Sequence, residues 1–297
     1  MSWILYTVAA VIFQTFRNLE QKALSKKLDA ITVAWSRFIL PAPFALLVVI
    51  YGFSSVGNKF IFYCVVTAAA QLLGNLCLLR AFKKNLSIGI AFYKTEVLQA
   101  MIVGAVFFGD SISNYGIVAI IVTTIGAILM SGSFDSGVKN FFKSLNNESA
   151  IFGLLCGSCL SISSFNLKFA SEELAPFGYS EIQGPLMVLM WVLFFQNLFF
   201  LVIKLVQKRL RQDLKSLLSA ENKSALLRTT ILSFFGSIFW FTAYAVGKVV
   251  YVKAVGQLEL LLAVIASHFF LKEKLKLTEF SGIILTACGI LSLILWG

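Results

Sequence analysis

Two glutamates stand where a chain of this composition has least reason to put them. Residues 91–110 read AFYKTEVLQAMIVGAVFFGD and residues 254–273 read AVGQLELLLAVIASHFFLKE, so Glu96 and Glu259 each lie near the start of an apolar run. An ionisable group inside such a run is expensive unless it faces a cavity or a partner, and by default it marks a functional site. The chemistry on offer is capture of a cation or transfer of a coupling proton, the latter suited to a carboxylate with no fixed partner. Helical spacing puts Tyr93, Gln99 and Ala100 on the face of Glu96 and turns Lys94 away from it. Lys94 then either snorkels to the interface or enters the cavity from another face.

Other polar side chains recur at helical spacing. The first apolar segment carries Gln14, Asn18 and Gln21 in one stripe, and the third carries Gln71 and Asn75 at i, i+4. Such residues either bond neighbouring helices or line a cavity, with Asn18 and Asn75 the stronger cavity candidates. Arg37 suits a substrate carboxylate at a cavity mouth or, equally, an interfacial position. Trp240 and Tyr244, also at i, i+4, could stack on a flat or cationic substrate, with aromatic packing as the alternative. Arg17 and Glu20 have the spacing of a helical ion pair.

Catalytic chemistry has little to work with. No phosphate loop or nucleophile–base set is present, and the one histidine, His268, cannot build a metal cluster. Cys156-Gly-Ser-Cys159 has the spacing of a redox pair, but Gly153 and Gly157 make the same helix a small-residue contact face. The expectation is no enzyme, no metal and no cofactor.

The elements that must hold these residues follow from composition. Of 297 residues 59% are hydrophobic and 13% charged, and the mean hydropathy is +0.87. Soluble domains carry roughly twice that share of charge, so the chain reads as an integral membrane protein. Ten stretches are long enough to span a bilayer as helices: about 3–22, 32–52, 60–82, 87–108, 114–132, 149–170, 183–206, 226–247, 250–271 and 277–296. The first lacks a basic leader and a cleavage site, and reads as a retained helix. The net charge of +11 belongs to loops and implies no nucleic acid. Loops on one side hold most of it, while the other side holds little beyond Lys59, Lys248 and Lys253. Leucines 210, 214, 217 and 218 among Lys and Arg suggest a short helix on an anionic membrane surface, with a solvated basic loop as the alternative.

The two opening stretches are also repeats. Glu96 and Glu259, Asp110 and Glu273, and Gly126 and Gly289 are each separated by 163 positions, as are Gly74 and Ser237. Near the front of each half, Asn18 matches Asn166 at an offset of 148, and the basic linker around 204–223 absorbs the difference. The expected fold is therefore an all-α membrane protein, ten transmembrane helices in two inverted five-helix repeats. Its domains are 1–135 and 149–297, joined by a linker at 136–148. Five is odd, so the copies lie in opposite orientations, an arrangement found in secondary transporters with the site near the midplane.

In helix count, in Glu96…Phe108-Gly109-Asp110 with Gly126, and in Glu259…Leu271-Lys272-Glu273 with Gly282 and Gly289, the chain resembles the EamA-type permeases of the drug/metabolite transporter superfamily. The family often follows each glutamate with proline, where this chain has Val97 and Leu260. The resemblance implies a cavity lined by helices one, three and four with six, eight and nine. It implies a permease for a small polar or charged metabolite, an amino acid or a derivative such as S-adenosylmethionine, working by alternating access. Its partners would be that small-molecule substrate, the lipid bilayer and a coupling proton or counter-substrate, with the protein a monomer or homodimer in a bacterial cytoplasmic membrane. Proton-coupled efflux of lipophilic cations and a non-transporting membrane scaffold are the competing readings.

Overall fold

The computed structural model describes residues 2–52, 56–134, 137–271 and 276–297, excluding the side chains of 138, 140, 142 and 266–271. Glu273, Lys272 and Lys274, and the side chain of His268, therefore lie outside the described residues. Within them the chain is helical and has no strand. The helices are α1 (Ser2–Leu24), α2 (Ala30–Trp35), α3 (Ala42–Gly52), α4 (Asn58–Lys84), α5 (Leu86–Lys94), α6 (Glu96–Phe108), α7 (Asn114–Met130) and α8 (Val138–Lys143). They continue with α9 (Glu148–Leu174), α10 (Gln183–Val206), α11 (Leu210–Leu217), α12 (Ala220–Val246), α13 (Val249–Gly256), α14 (Leu258–Leu271) and α15 (Leu277–Trp296).

Each of the ten apolar stretches expected from the sequence is helical. Among the described residues six helical segments are long and apolar enough to cross a membrane, and Ala42–Gly52 and Asn114–Met130 are shorter apolar helices. With backbone polar groups satisfied inside helices, this is an all-α membrane protein. Three stretches are broken. The 32–52 stretch is interrupted between α2 and α3, where Pro41 and Pro43 remove backbone donors. The α5–α6 and α13–α14 breaks contain no proline. They turn at Thr95 and Gln257, whose N–H groups bond back to Phe92 and Ala254 respectively in tight three-residue steps.

The chain divides into two compact units, each drawing on both halves of the sequence. The first comprises residues 1–72 and 166–246. In it α1 packs along α12, and Gly236 admits the Phe13 side chain so closely that an added Cβ would lie 3.2 Å from it. The end of α10 is a hydrogen-bonded reversal, Lys208 N–H to Leu205 O and Arg209 N–H to Lys204 O, with Lys208 at a left-handed φ of 55°. This turn delivers α11, whose Asp213 is buried beside Lys204 at 2.7 Å. Lys204 also donates to the Thr32 hydroxyl and lies 3.5 Å from Asp29, the N-cap of α2. The linker thus contains a short helix, as expected, held by a buried lysine.

The second unit comprises residues 73–165 and 247–297. Its main seam is α7 against α15, and the contacts there are reciprocal. A Cβ on Gly126 would meet the Thr286 backbone N at 2.6 Å and Gly282 O at 2.8 Å. One on Gly289 would meet the Thr123 backbone N at 2.9 Å and Ala119 O at 3.0 Å. Each of these residues lies 163 positions from its counterpart: 126 and 289, 123 and 286, 119 and 282. Only glycine permits approach this close, the small-residue packing that replaces hydrophobic burial between helices in lipid.

Candidate functional site

The α5–α6 and α13–α14 breaks lie in the second unit, and they meet. Gln257 Nε2 donates to the carbonyl of Lys94 at 3.3 Å, a carbonyl at the C-terminus of α5 with no next turn to receive it. The breaks free backbone groups and put Glu96 and Glu259 in the first turns of α6 and α14, where the positive end of the helix dipole favours a carboxylate.

Both glutamates have lysine partners, contrary to the expectation of carboxylates without fixed partners. Lys253 Nζ stands 3.3 Å from Glu96 Oε2, and Lys94 Nζ stands 3.7 Å from Glu259 Oε2. Each acid from one half of the sequence is neutralised by a base from the other. The expectation that Lys94 turns away from Glu96 holds, because its ammonium serves Glu259 and lies 4.9 Å from the centre of the Tyr93 ring. Lys253 is the larger correction. Assigned to the sparse bases of one membrane face, it is an interior residue of α13 with a side chain only 3% exposed. The side chains of Glu96 and Glu259 are 12% and 18% exposed, against 3% and 7% for their lysines.

Polar side chains of α9 brace the break. Ser161 donates to the carbonyl of Glu96 at 3.0 Å. Gln99 donates to the Thr95 hydroxyl at 2.9 Å and accepts from Ser158 at 2.7 Å. Gly157 leaves the space that Gln99 occupies, and Gly153 lies against Gly89 and Phe92 of α5. The small-residue reading of this helix is the structural one, and Cys156 and Cys159 are free thiols. Asn75, half-buried on α4, also belongs to the second unit.

The remaining candidates belong to the first unit. Trp240 Nε1 donates to Gln14 Oε1 at 2.8 Å, and its ring stacks on Tyr244 with centroids 5.6 Å apart. Gln71 accepts from Gln196 at 2.7 Å, so the expected Gln71–Asn75 pair is divided between the two units. Asn18 is exposed and accepts from Arg17, while Glu20 is held bidentate by Arg228 at 2.8 and 3.0 Å. The expected Arg17–Glu20 pair is thereby replaced by one to α12. Arg37 lies 4.9 Å from the centre of the Phe38 ring.

Sequence reasoning missed Lys253, Gln257, Ser158 and Ser161 as members of the cluster around the glutamates. The spacing of Lys253 within an apolar segment was the available signal; a lysine one turn from a glutamate-bearing break is as costly in lipid as the glutamate. Chemically the cluster is a neutral arrangement of two carboxylates and two ammonium groups. It can exchange either internal partner for a ligand group of the same charge.

Residues 148–295 match the EamA-like transporter family. Among solved structures similar in fold is a crystal structure with a TM-score of 0.69 and 11% sequence identity, over 98% of this chain and 96% of that one. No curated protein sequence matches significantly. Through the match of its residues 148–295, the chain belongs to the EamA-like transporter family of the drug/metabolite transporter superfamily, whose members are membrane transporters.

Proposed function

We propose that this transporter moves a small metabolite bearing both an ammonium and a carboxylate, an amino acid or a derivative such as S-adenosylmethionine, by alternating access, and that Lys94, Glu96, Lys253 and Glu259 bind it. The carrying observation is the exchange of partners, Glu96 with Lys253 and Glu259 with Lys94. A ligand bearing both an ammonium and a carboxylate can replace one internal pair with two ligand pairs and keep the buried cluster neutral. A simple cation or anion leaves one buried charge unmatched, which is costly in a low-dielectric site. The two lysines therefore weigh against the efflux of lipophilic cations. Because each glutamate is neutralised by a lysine, exchange against a counter-substrate is the favoured coupling mode over proton transfer.

The two five-helix halves are read as inverted repeats. The reciprocal glycine contacts of α7 and α15 support this reading, as does the bond between the break residues Lys94 and Gln257, themselves 163 positions apart. Tyr93, Gln99 and Asn75 join the site from the second unit. Gln14, Asn18, Gln71, Arg37, Trp240 and Tyr244 are retained as substrate-path residues of the first.

The test is uptake by the purified protein in liposomes preloaded with unlabelled compound. The panel holds radiolabelled zwitterions (neutral amino acids), S-adenosylmethionine, whose sulfonium adds a positive charge to the same ammonium and carboxylate, a lipophilic cation and a monocarboxylate. Counterflow confined to compounds bearing both groups supports the reading. Counterflow of the cation alone supports efflux, and none with any class leaves a scaffold.

A further inference from the structure

The rim of the first unit where α1 ends and α12 begins is tied together by ion pairs, and these pairs consume its acids. Glu20 is held by Arg228, Asp29 and Asp213 by Lys204, and Glu221 by Lys27. Lys22, Lys26, Lys208, Arg211, Lys215 and Lys223 remain exposed on the same rim, and among the described residues none of them pairs with an acid. The surplus is structured. The Asp213–Lys204 contact fixes the inner side of α11, and Leu217 is buried with it, so Arg211 and Lys215 are left on the outer side. Lys208 occupies the left-handed position closing α10, where glycine is the favoured residue. A charged side chain is kept there against the backbone's preference.

The depth of this rim is set by its neighbours. α11 joins two segments long and apolar enough to span the membrane, Gln183–Val206 and Ala220–Val246. Val206 and Leu218, on either side of α11, are exposed and apolar. A short helix with basic residues outward and leucines at its edge has the pattern that suits the boundary of headgroups and acyl chains.

We propose that this rim is a binding surface for anionic phospholipid, with headgroup phosphates held by Lys208, Arg211 and Lys215. It is independent of the transport site. The phosphate supplies the negative charge that the rim's own acids, already paired, do not, and the bilayer brings it at the required depth.

The experiment is thermal unfolding of the full chain in neutral detergent. Phosphatidylglycerol, phosphatidylcholine or soluble glycerol phosphate is added over a range of concentrations. The wild-type midpoint should rise with phosphatidylglycerol and not with the other two. Lys208→Gln/Arg211→Gln/Lys215→Gln should need at least about fivefold more phosphatidylglycerol for the same rise. Lys208→Gly separates the surface from the fold, because it relieves the left-handed position while removing one charge. Its midpoint without lipid should be higher than wild type and its lipid-induced rise smaller. Equal responses of wild type and both variants to phosphatidylglycerol would overturn the proposal. So would an equal rise with phosphatidylcholine, or reproduction of the rise by glycerol phosphate, the mark of a solvated basic surface.

Discussion

Gln257 donates its side-chain amide to the main-chain carbonyl of Lys94, the residue 163 positions before it. Two broken helices thus meet, and the residues that this offset pairs are not the same. Where one half has lysine the other has glutamine, and where Lys253 stands the first half has Ile90. The asymmetry makes the site's charges complementary. Each acid depends on the other half's base.

Removing one member of the more buried pair should be severe. Lys253→Met leaves Glu96 without its cation, and breaking a buried pair costs about 3–5 kcal/mol. Glu96→Gln/Lys253→Met should recover most of that loss, giving a large coupling in a double-mutant cycle of unfolding in detergent. Lys94→Met should cost less, because Lys94 and Glu259 are farther apart and more exposed. Small losses for both lysines, or additivity in the cycle, would mean that the pairs contribute little to the fold.

The α7–α15 seam predicts a matched pair of effects. Gly126→Ala and Gly289→Ala each push a methyl group against backbone atoms of the facing helix, and overpacking of this kind costs about 1–3 kcal/mol. The two losses should agree closely. Thr286→Ala should fail to rescue Gly126→Ala, since the Thr286 backbone N that the methyl meets at 2.6 Å is unchanged. Rescue would show that the threonine side chain alone sets the spacing.

Much of this was legible in the sequence, and the reasons for the rest are physical. Glu96 and Glu259 could be found because a carboxylate is conspicuous in an apolar run. The 163-residue offset could be found because glycines and acids fall on it. Lys253 was hidden because hydropathy shows that a residue is out of place without showing which helix it meets. The breaks at Thr95 and Gln257 were hidden because neither is a proline or glycine; each is held by tertiary hydrogen bonds, from Gln257 to Lys94 and from Ser161 to Glu96. Gln71 and Asn75 share a helical face, yet the boundary between the two units falls between them at Leu72.

Acid should act on the cap of α2. Partial burial of Asp29 alone would raise its pKa, but its bonds from the Thr32 hydroxyl and backbone N–H, with Lys204 and Arg209 nearby, outweigh that and hold the carboxyl below its ordinary value. The unfolded acid titrates near about 4, so the contribution is complete above that pH and is lost as pH falls through the lower folded value. Asp29→Asn, which still caps α2, should lose less of its unfolding temperature between neutral pH and the acid limit than wild type. Parallel acid losses in both proteins would remove Asp29 from the account.

The central claim is that the exchanged charges bind a zwitterion, and counterflow by the paired neutral variant tests it most directly. Glu96→Gln/Lys253→Met should fold, with an unfolding temperature near that of wild type, while its counterflow of the preferred zwitterion falls at least about tenfold, the equivalent of one lost charged contact. Wild-type counterflow rates in a well-folded double variant would contradict the account and leave the crossed pairs as a structural feature of the broken helices.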